Sequence, residues 1–235
     1  MSLDDSFAEL ENNLGRLESR YLSPHLNDVL AEGSELDVKS YCILSHALFE
    51  QFIENVCSTV ANFSKSSWDT PERVVTRPLL NMVGFHGPRC STEAGASETT
   101  RRGCDVLRRS VDEAVKSYLT YVRQENHGIT AAHLRKMLWP VAIEIPDEMR
   151  YEVSLAQLTK NRGFHAHGYD IKKIISPQEA LNWVKDCKDL CREIKDDANR
   201  LQGGAVSSVS RNKVWWRRVL GSWAALRERI ARRLF

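Results

Sequence analysis

The sequence predicts an all-α protein: a bundle of about five to seven helices followed by a detached, basic, amphipathic helix at its C-terminal end. Three observations lead there. Apolar residues recur at spacings of three and four along most of the chain, as a helix with one buried face requires. Helix-start chemistry stands where such runs begin, most clearly at Ser176-Pro177-Gln178-Glu179. No stretch alternates apolar and polar residues in the way a half-buried strand would.

The elements follow in order. Phe7, Leu10, Leu14, Leu17 and Tyr21 mark a first helix that ends near Ser23-Pro24. A second is expected from about Leu36 to Phe63, with Tyr41, Leu44, Leu48, Phe52 and Val56 on its buried face and Ser34 and Asp37 as a loose start. From Ser64 to Gly103 the prolines, glycines and a Ser/Thr run predict a long connection holding one helix around Arg73 to Met82. The next helix carries Val111, Val115, Tyr118, Leu119 and Val122 and stops at Asn126-His127-Gly128, where Gly128 suits a left-handed helix end. Its opening arginines, Arg101, Arg102, Arg108 and Arg109, are interleaved with Asp105, Asp112 and Glu113, so a solvated face competes with an RNA path. A short helix from Thr130 to Leu138 closes at Trp139-Pro140. Pro146 and Asp147 then open a helix with Tyr151, Leu155 and Leu158 as its buried stripe. The last helix of the body carries Leu181, Val184, Cys187, Leu190, Cys191 and Ile194 to about Leu201.

The expected organisation is a helical domain over 1–202, a flexible Gly/Ser-rich linker over 203–210 and a basic helix over 211–235. Charge divides the same way. Residues 211–235 carry eight basic side chains against Glu228, a local charge of +7, which leaves −5 on the other 210 residues. In the tail, Trp216, Val219, Leu220, Trp223, Ile230 and Leu234 fall within about 100° on a helical wheel, opposite Arg218, Arg229 and Arg232. Arg227 interrupts that stripe, and Gly221 weakens the helix by about 1 kcal/mol. Trp215, Trp216, Arg217, Arg218 and Trp223 are the residues expected to meet an anionic membrane surface or a nucleic acid. Docking onto the acidic body or another subunit is the structural alternative.

The N-terminal residues lack the charged start, apolar centre and cleavage site of a signal peptide, and no run of about 18 apolar residues suggests a membrane span. A cytoplasmic protein, peripheral to a membrane at most, is the expectation. The six cysteines show neither disulfide-scaffold density nor a Cys-x-x-Cys knuckle. They are expected to be reduced, with Cys187 and Cys191 buried rather than ligating.

The chemistry concentrates in Leu158 to Tyr169. Arg162 offers a fork of donors that holds a phosphate at any pH, while His165 and His167 can take or return a proton near neutrality. Arg162 and His167, five positions apart, lie about 140° apart around a helix axis. Either Gly163 relaxes the helix so that they converge, or a second copy of the chain completes the site. A metal pair from His165 and His167 would lack the rest of its ligands.

Arg162-Gly163-Phe164-His165-Ala166-His167 resembles the signature of the HEPN superfamily, an Arg, a short gap and a His, commonly written Arg-Asn-x-x-Ala-His. Asn126-His127-Gly128-Ile129-Thr130 and the helix after it resemble the RiboL-PSP-HEPN branch, over residues 35–200 or so. The resemblance implies a HEPN-like bundle and metal-independent RNA cleavage in which a ribose 2′-OH attacks the adjacent phosphorus. His167 would move the proton, Arg162 would hold the phosphate, and His165, Asn161 and Glu50 would contact or support the substrate site. Glu50 as an ordinary solvated side chain is the alternative. The resemblance further implies a site shared across a homodimer, RNA as substrate, no cofactor or metal, and a toxin or defence role with an antitoxin or regulatory partner. Gly163 departs from the common pattern. It keeps open a non-catalytic module that binds a nucleotide or a partner.

Overall fold

The computed structural model describes residues 2–26, 34–88, 100–126, 128–167 and 175–203, and the side chains of all but 100–104 and 161–167 among them. The described chain is all-α: α1 (Leu3–Tyr21), α2 (Ser34–Asp69), α3 (Arg77–His86), α4 (Thr100–Thr120), α5 (Ala131–Leu138), α6 (Met149–His167) and α7 (Pro177–Gly203), with no strand among the described residues. A 3₁₀ turn over Ser23–His25 follows α1, and a π-helical turn over Tyr121–Glu125 continues α4. No described helix is long and apolar enough to cross a membrane.

The axis of the bundle is α2, which α1, α3, α4, α5 and α6 all touch. Burial on so many sides makes most of its circumference apolar: Val38, Cys42, Phe49, Ile53, Val56, Cys57 and Val60 are all sequestered. The helix runs past the expected end at Phe63. Val60, Ser64 and Trp68 continue a buried stripe at spacings of four, and Lys65 pairs with Asp69 in the last turn and with Asp112 of α4 at 3.0 Å. Its expected single face is also corrected. Tyr41, Phe52 and Val56 are buried, but Leu48 is only half-buried and Leu44 is 39% exposed, because both face an open groove beside α1.

The expected long connection is therefore shorter than composition suggested. Helix α3 starts four residues later than expected because Thr76 caps it, accepting from the Leu79 amide at 3.3 Å, with Pro78 in the first turn. Behind it, the Tyr118 hydroxyl of α4 donates to the Met137 carbonyl at 2.7 Å. The Cys57 thiol of α2 approaches the same carbonyl at 3.7 Å. One acceptor at the end of α5 thus joins three helices.

At the other side, α7 closes over α1 and α6. Lys195 reaches Asp4 at 2.9 Å and Arg192 reaches Glu11 at 3.2 Å, while both cations lie over the Phe7 ring. Tyr151 of α6 donates to Glu193 at 2.5 Å, and Ser154 donates to Asp186 at 2.7 Å. His25 Nε2 meets Asp37 Oδ2 at 2.8 Å and ties the turn after α1 to the start of α2.

The start of α7 is as expected. The Glu179 amide donates to Ser176 Oγ at 3.2 Å, and the Ser176 amide donates to Glu179 Oε2 at 3.0 Å, a reciprocal capping box with Pro177 as the first helical residue. Ser176→Ala removes the first of these bonds with little change in packing. The expected cost is about 1 kcal/mol, read as a lower urea midpoint at unchanged m-value.

Candidate functional site

The helix that carries the candidate catalytic residues is α6, and its backbone is unbroken from Met149 to His167. Gly163 does not relax it. Tyr151, Leu155 and Leu158 are buried, and the position of residue 162 continues their stripe around the helix axis. The position of residue 167 is turned away from it by about 140°. Of the two routes to a joined Arg162/His167 site, loosening of the helix at Gly163 is therefore absent. The side chains of Asn161, Arg162, His165 and His167 lie outside the described residues, as do Trp215, Trp216, Arg217, Arg218 and Trp223 of the tail.

Glu50 stands on α2, the helix against which α6 packs. Its side chain is only 17% exposed and its Oε2 lies 3.8 Å from Nδ1 of His46, which is itself buried one turn earlier. Glu50 is therefore not an ordinary solvated carboxylate. A half-buried acid beside a buried imidazole can hold a cation in place or steady a proton between two groups. His46 was not singled out in the sequence, although its spacing of four from Glu50 on a predicted helix was a readable signal.

Four cysteines are buried in the core. Burial pushes the Cys57 thiol up to about 12 and the Cys42 thiol to about 12. Cys187 and Cys191 are likewise buried with thiols raised by desolvation, so all four are neutral and poorly nucleophilic. Among the described residues no group of three or more His, Cys, Asp or Glu side chains is gathered to hold a metal ion.

Asn126 is buried, and its Nδ2 donates to the Gly128 carbonyl at 3.1 Å. Gly128 has φ 156°, away from the left-handed helical value near 57°. The expected left-handed helix end is thus corrected: the helix closes at Asn126 in extended backbone, and Gly128 lies outside the left-handed helical region. Thr130 caps α5, its Oγ1 accepting from the His133 amide at 3.3 Å and meeting His133 Nδ1 at 2.7 Å. Among its described residues, the segment that resembled the family caps and positions α5.

A second histidine outside the sequence-based candidates is His86, at the end of α3. Its ring stands 5.3 Å from that of Tyr118 and 6.0 Å from that of Tyr121. Burial between them lowers its pKa, although Glu125 pulls the other way, so the ring is neutral at neutral pH.

The family model described as RiboL-PSP-HEPN matches residues 4–200. No curated protein and no solved structure matches the chain.

Proposed function

Because the chain belongs to the RiboL-PSP-HEPN family, we propose that it is an endoribonuclease that cleaves RNA without a metal ion, at a site made of Arg162 and His167. The observation that carries this reading is that both residues lie on one unbroken helix inside the region that matches the family. An imidazole removes the proton from a ribose 2′-OH, the oxygen attacks the adjacent phosphorus, and the 5′-oxygen of the next nucleotide leaves with a proton. The Arg162 guanidinium holds the phosphate by two parallel bonds and opposes the charge that grows on its oxygens. His167 is the proton-transfer group, with His165 as the second. Asn161 contacts the sugar or phosphate, and Glu50 with its neighbour His46 supports the arginine from α2.

The angular separation of positions 162 and 167 along a rigid helix favours a site in which Arg162 of one chain faces His167 of another. A two-fold axis beside α6 would generate two such sites. An antitoxin or other regulatory protein that covered this face would hold the activity in check.

The test is incubation of the purified chain with single-stranded RNA, and separately with DNA of the same sequence, in excess EDTA. The expected result is cleavage of RNA alone, leaving 2′,3′-cyclic phosphate ends. Equal cleavage of DNA would eliminate the 2′-OH mechanism. Tight RNA or nucleotide binding with no cleavage under any condition would leave the non-catalytic reading that Gly163 suggests.

A further inference from the structure

A hollow of about 580 Å³ lies in the groove between α1 and α2, and no residue of α6 lines it. Nine residues line it and none is acidic. Leu17, Leu44 and Leu48 form the floor, which explains why Leu44 is left uncovered on an otherwise buried helix. Arg16 and Arg20 stand one turn apart on one wall, and the Arg20 guanidinium lies 5.2 Å from the centre of the Tyr21 ring. Asn13 and Gln51 add amides that both donate and accept.

The acids of α1 are spread around the helix, with Asp5 and Glu9 on the face of Arg16 and Arg20 but two turns or so nearer the N-terminal end. Asp4 and Glu11 are turned to the cations of α7, and Glu18 faces the Tyr41 hydroxyl, whose pKa it helps to raise. Arg16 and Arg20 meet no carboxylate among the described residues. Two guanidiniums one helical turn apart are separated by about 6 Å along the axis, close to the step between neighbouring phosphates of one strand. An apolar floor with an aromatic ring beside a cation suits unstacked bases. Ala47 and Gln51 of the groove stand on the same turns of α2 as Glu50, on a neighbouring face of that helix. Its far end meets Glu9, in a smaller hollow of about 50 Å³, where a phosphate strand would be repelled.

We infer that the α1–α2 groove is a track that holds single-stranded RNA, with Arg16 and Arg20 on successive phosphates and Tyr21 under a base. This rests on the ribonuclease reading and specifies how the substrate is held. It makes the substrate single-stranded, since a stacked duplex would offer no free base to Tyr21 or to the leucine floor.

The experiment compares the wild type with the double variant Arg16→Gln and Arg20→Gln, both exposed positions. Binding is read as fluorescence anisotropy of a labelled 2′-O-methyl oligonucleotide, which binds without being cut, over a range of salt. Cleavage of the matching RNA is measured alongside. The double variant is expected to bind about tenfold more weakly, with the slope of log K against log salt reduced by about 1.4, at roughly 0.7 for each lost phosphate contact. It should raise KM by a similar factor and leave kcat unchanged. Tyr21→Leu should weaken binding and leave the slope as it was. Unchanged affinity and slope in a double variant, with a wild type that binds and cuts, would overturn the groove assignment and leave the ribonuclease reading standing. Loss of a dimer with RNA affinity retained would also overturn it and make the groove a protein interface. A wild type that neither binds nor cuts RNA would remove both.

Discussion

Replacing His167 by alanine is expected to lower RNA cleavage by about 10² to 10⁴-fold, the range for losing a positioned proton-transfer group. The residue is the last of α6, so the change should leave the bundle intact. Far-UV circular dichroism and the urea midpoint are the controls, and both should match the wild type. Arg162→Lys makes a companion test, because it keeps the positive charge and loses the planar fork that holds two phosphate oxygens together. If the fork is what matters, the lysine variant should lose most of the activity while still binding RNA. A His167→Ala protein that cuts RNA at the wild-type rate would take proton transfer away from this residue, and the reading of α6 with it.

The largest expected effect on stability is at Phe49. This ring is fully buried on α2, in the core that α2 shares with the helices around it. Phe49→Ala leaves a cavity that a helix held on several sides cannot collapse to fill, and the expected cost is about 3–5 kcal/mol. Urea denaturation would read this as a large fall in midpoint at similar m-value. Since α2 carries both Glu50 and one wall of the basic groove, activity should fall in proportion to the folded fraction. A cost below about 1 kcal/mol, the size of a conservative core swap, would show that α2 is not the axis of the core.

Most of the elements are written in local signals. The buried stripes of α1 and α6, the capping box at Ser176 and Glu179, and the Thr130 cap of α5 all depend on residues three or four positions apart, which is the range a periodicity reads. What escaped was set by contacts distant in sequence. The extension of α2 to Asp69 depends on Lys65 meeting Asp112, and the exposure of Leu44 depends on the open groove beside α1. The π-helical turn over Tyr121–Glu125 has no simple pattern of its own, because one inserted residue shifts the phase without changing composition.

The candidate site divides along the same line. Arg162 and His167 stand out by residue type and spacing, and the family match covers both. The groove does not stand out. Arg16 and Arg20 look like the polar face of any amphipathic helix until Asp4 and Glu11 are seen to be engaged by α7 and the groove beside the arginines is seen to hold no acid. Glu50 was visible as an acid on α2, but its shielding beside His46 follows from packing on several sides of that helix. No local spacing can encode a partner chain, so the proposal of a shared site rests on the continuity of α6 across Gly163.

The central claim, a site shared between two chains, is tested most directly by mixing two inactive proteins. Arg162→Ala and His167→Ala chains would be unfolded together, refolded and assayed on RNA, with mixed dimers verified by a tag on one of them. Random pairing makes about half of the dimers mixed, and each mixed dimer holds one site with both residues intact, so recovery of about a quarter of wild-type activity is predicted. Mixed dimers that form in the expected proportion and stay inactive would contradict the account.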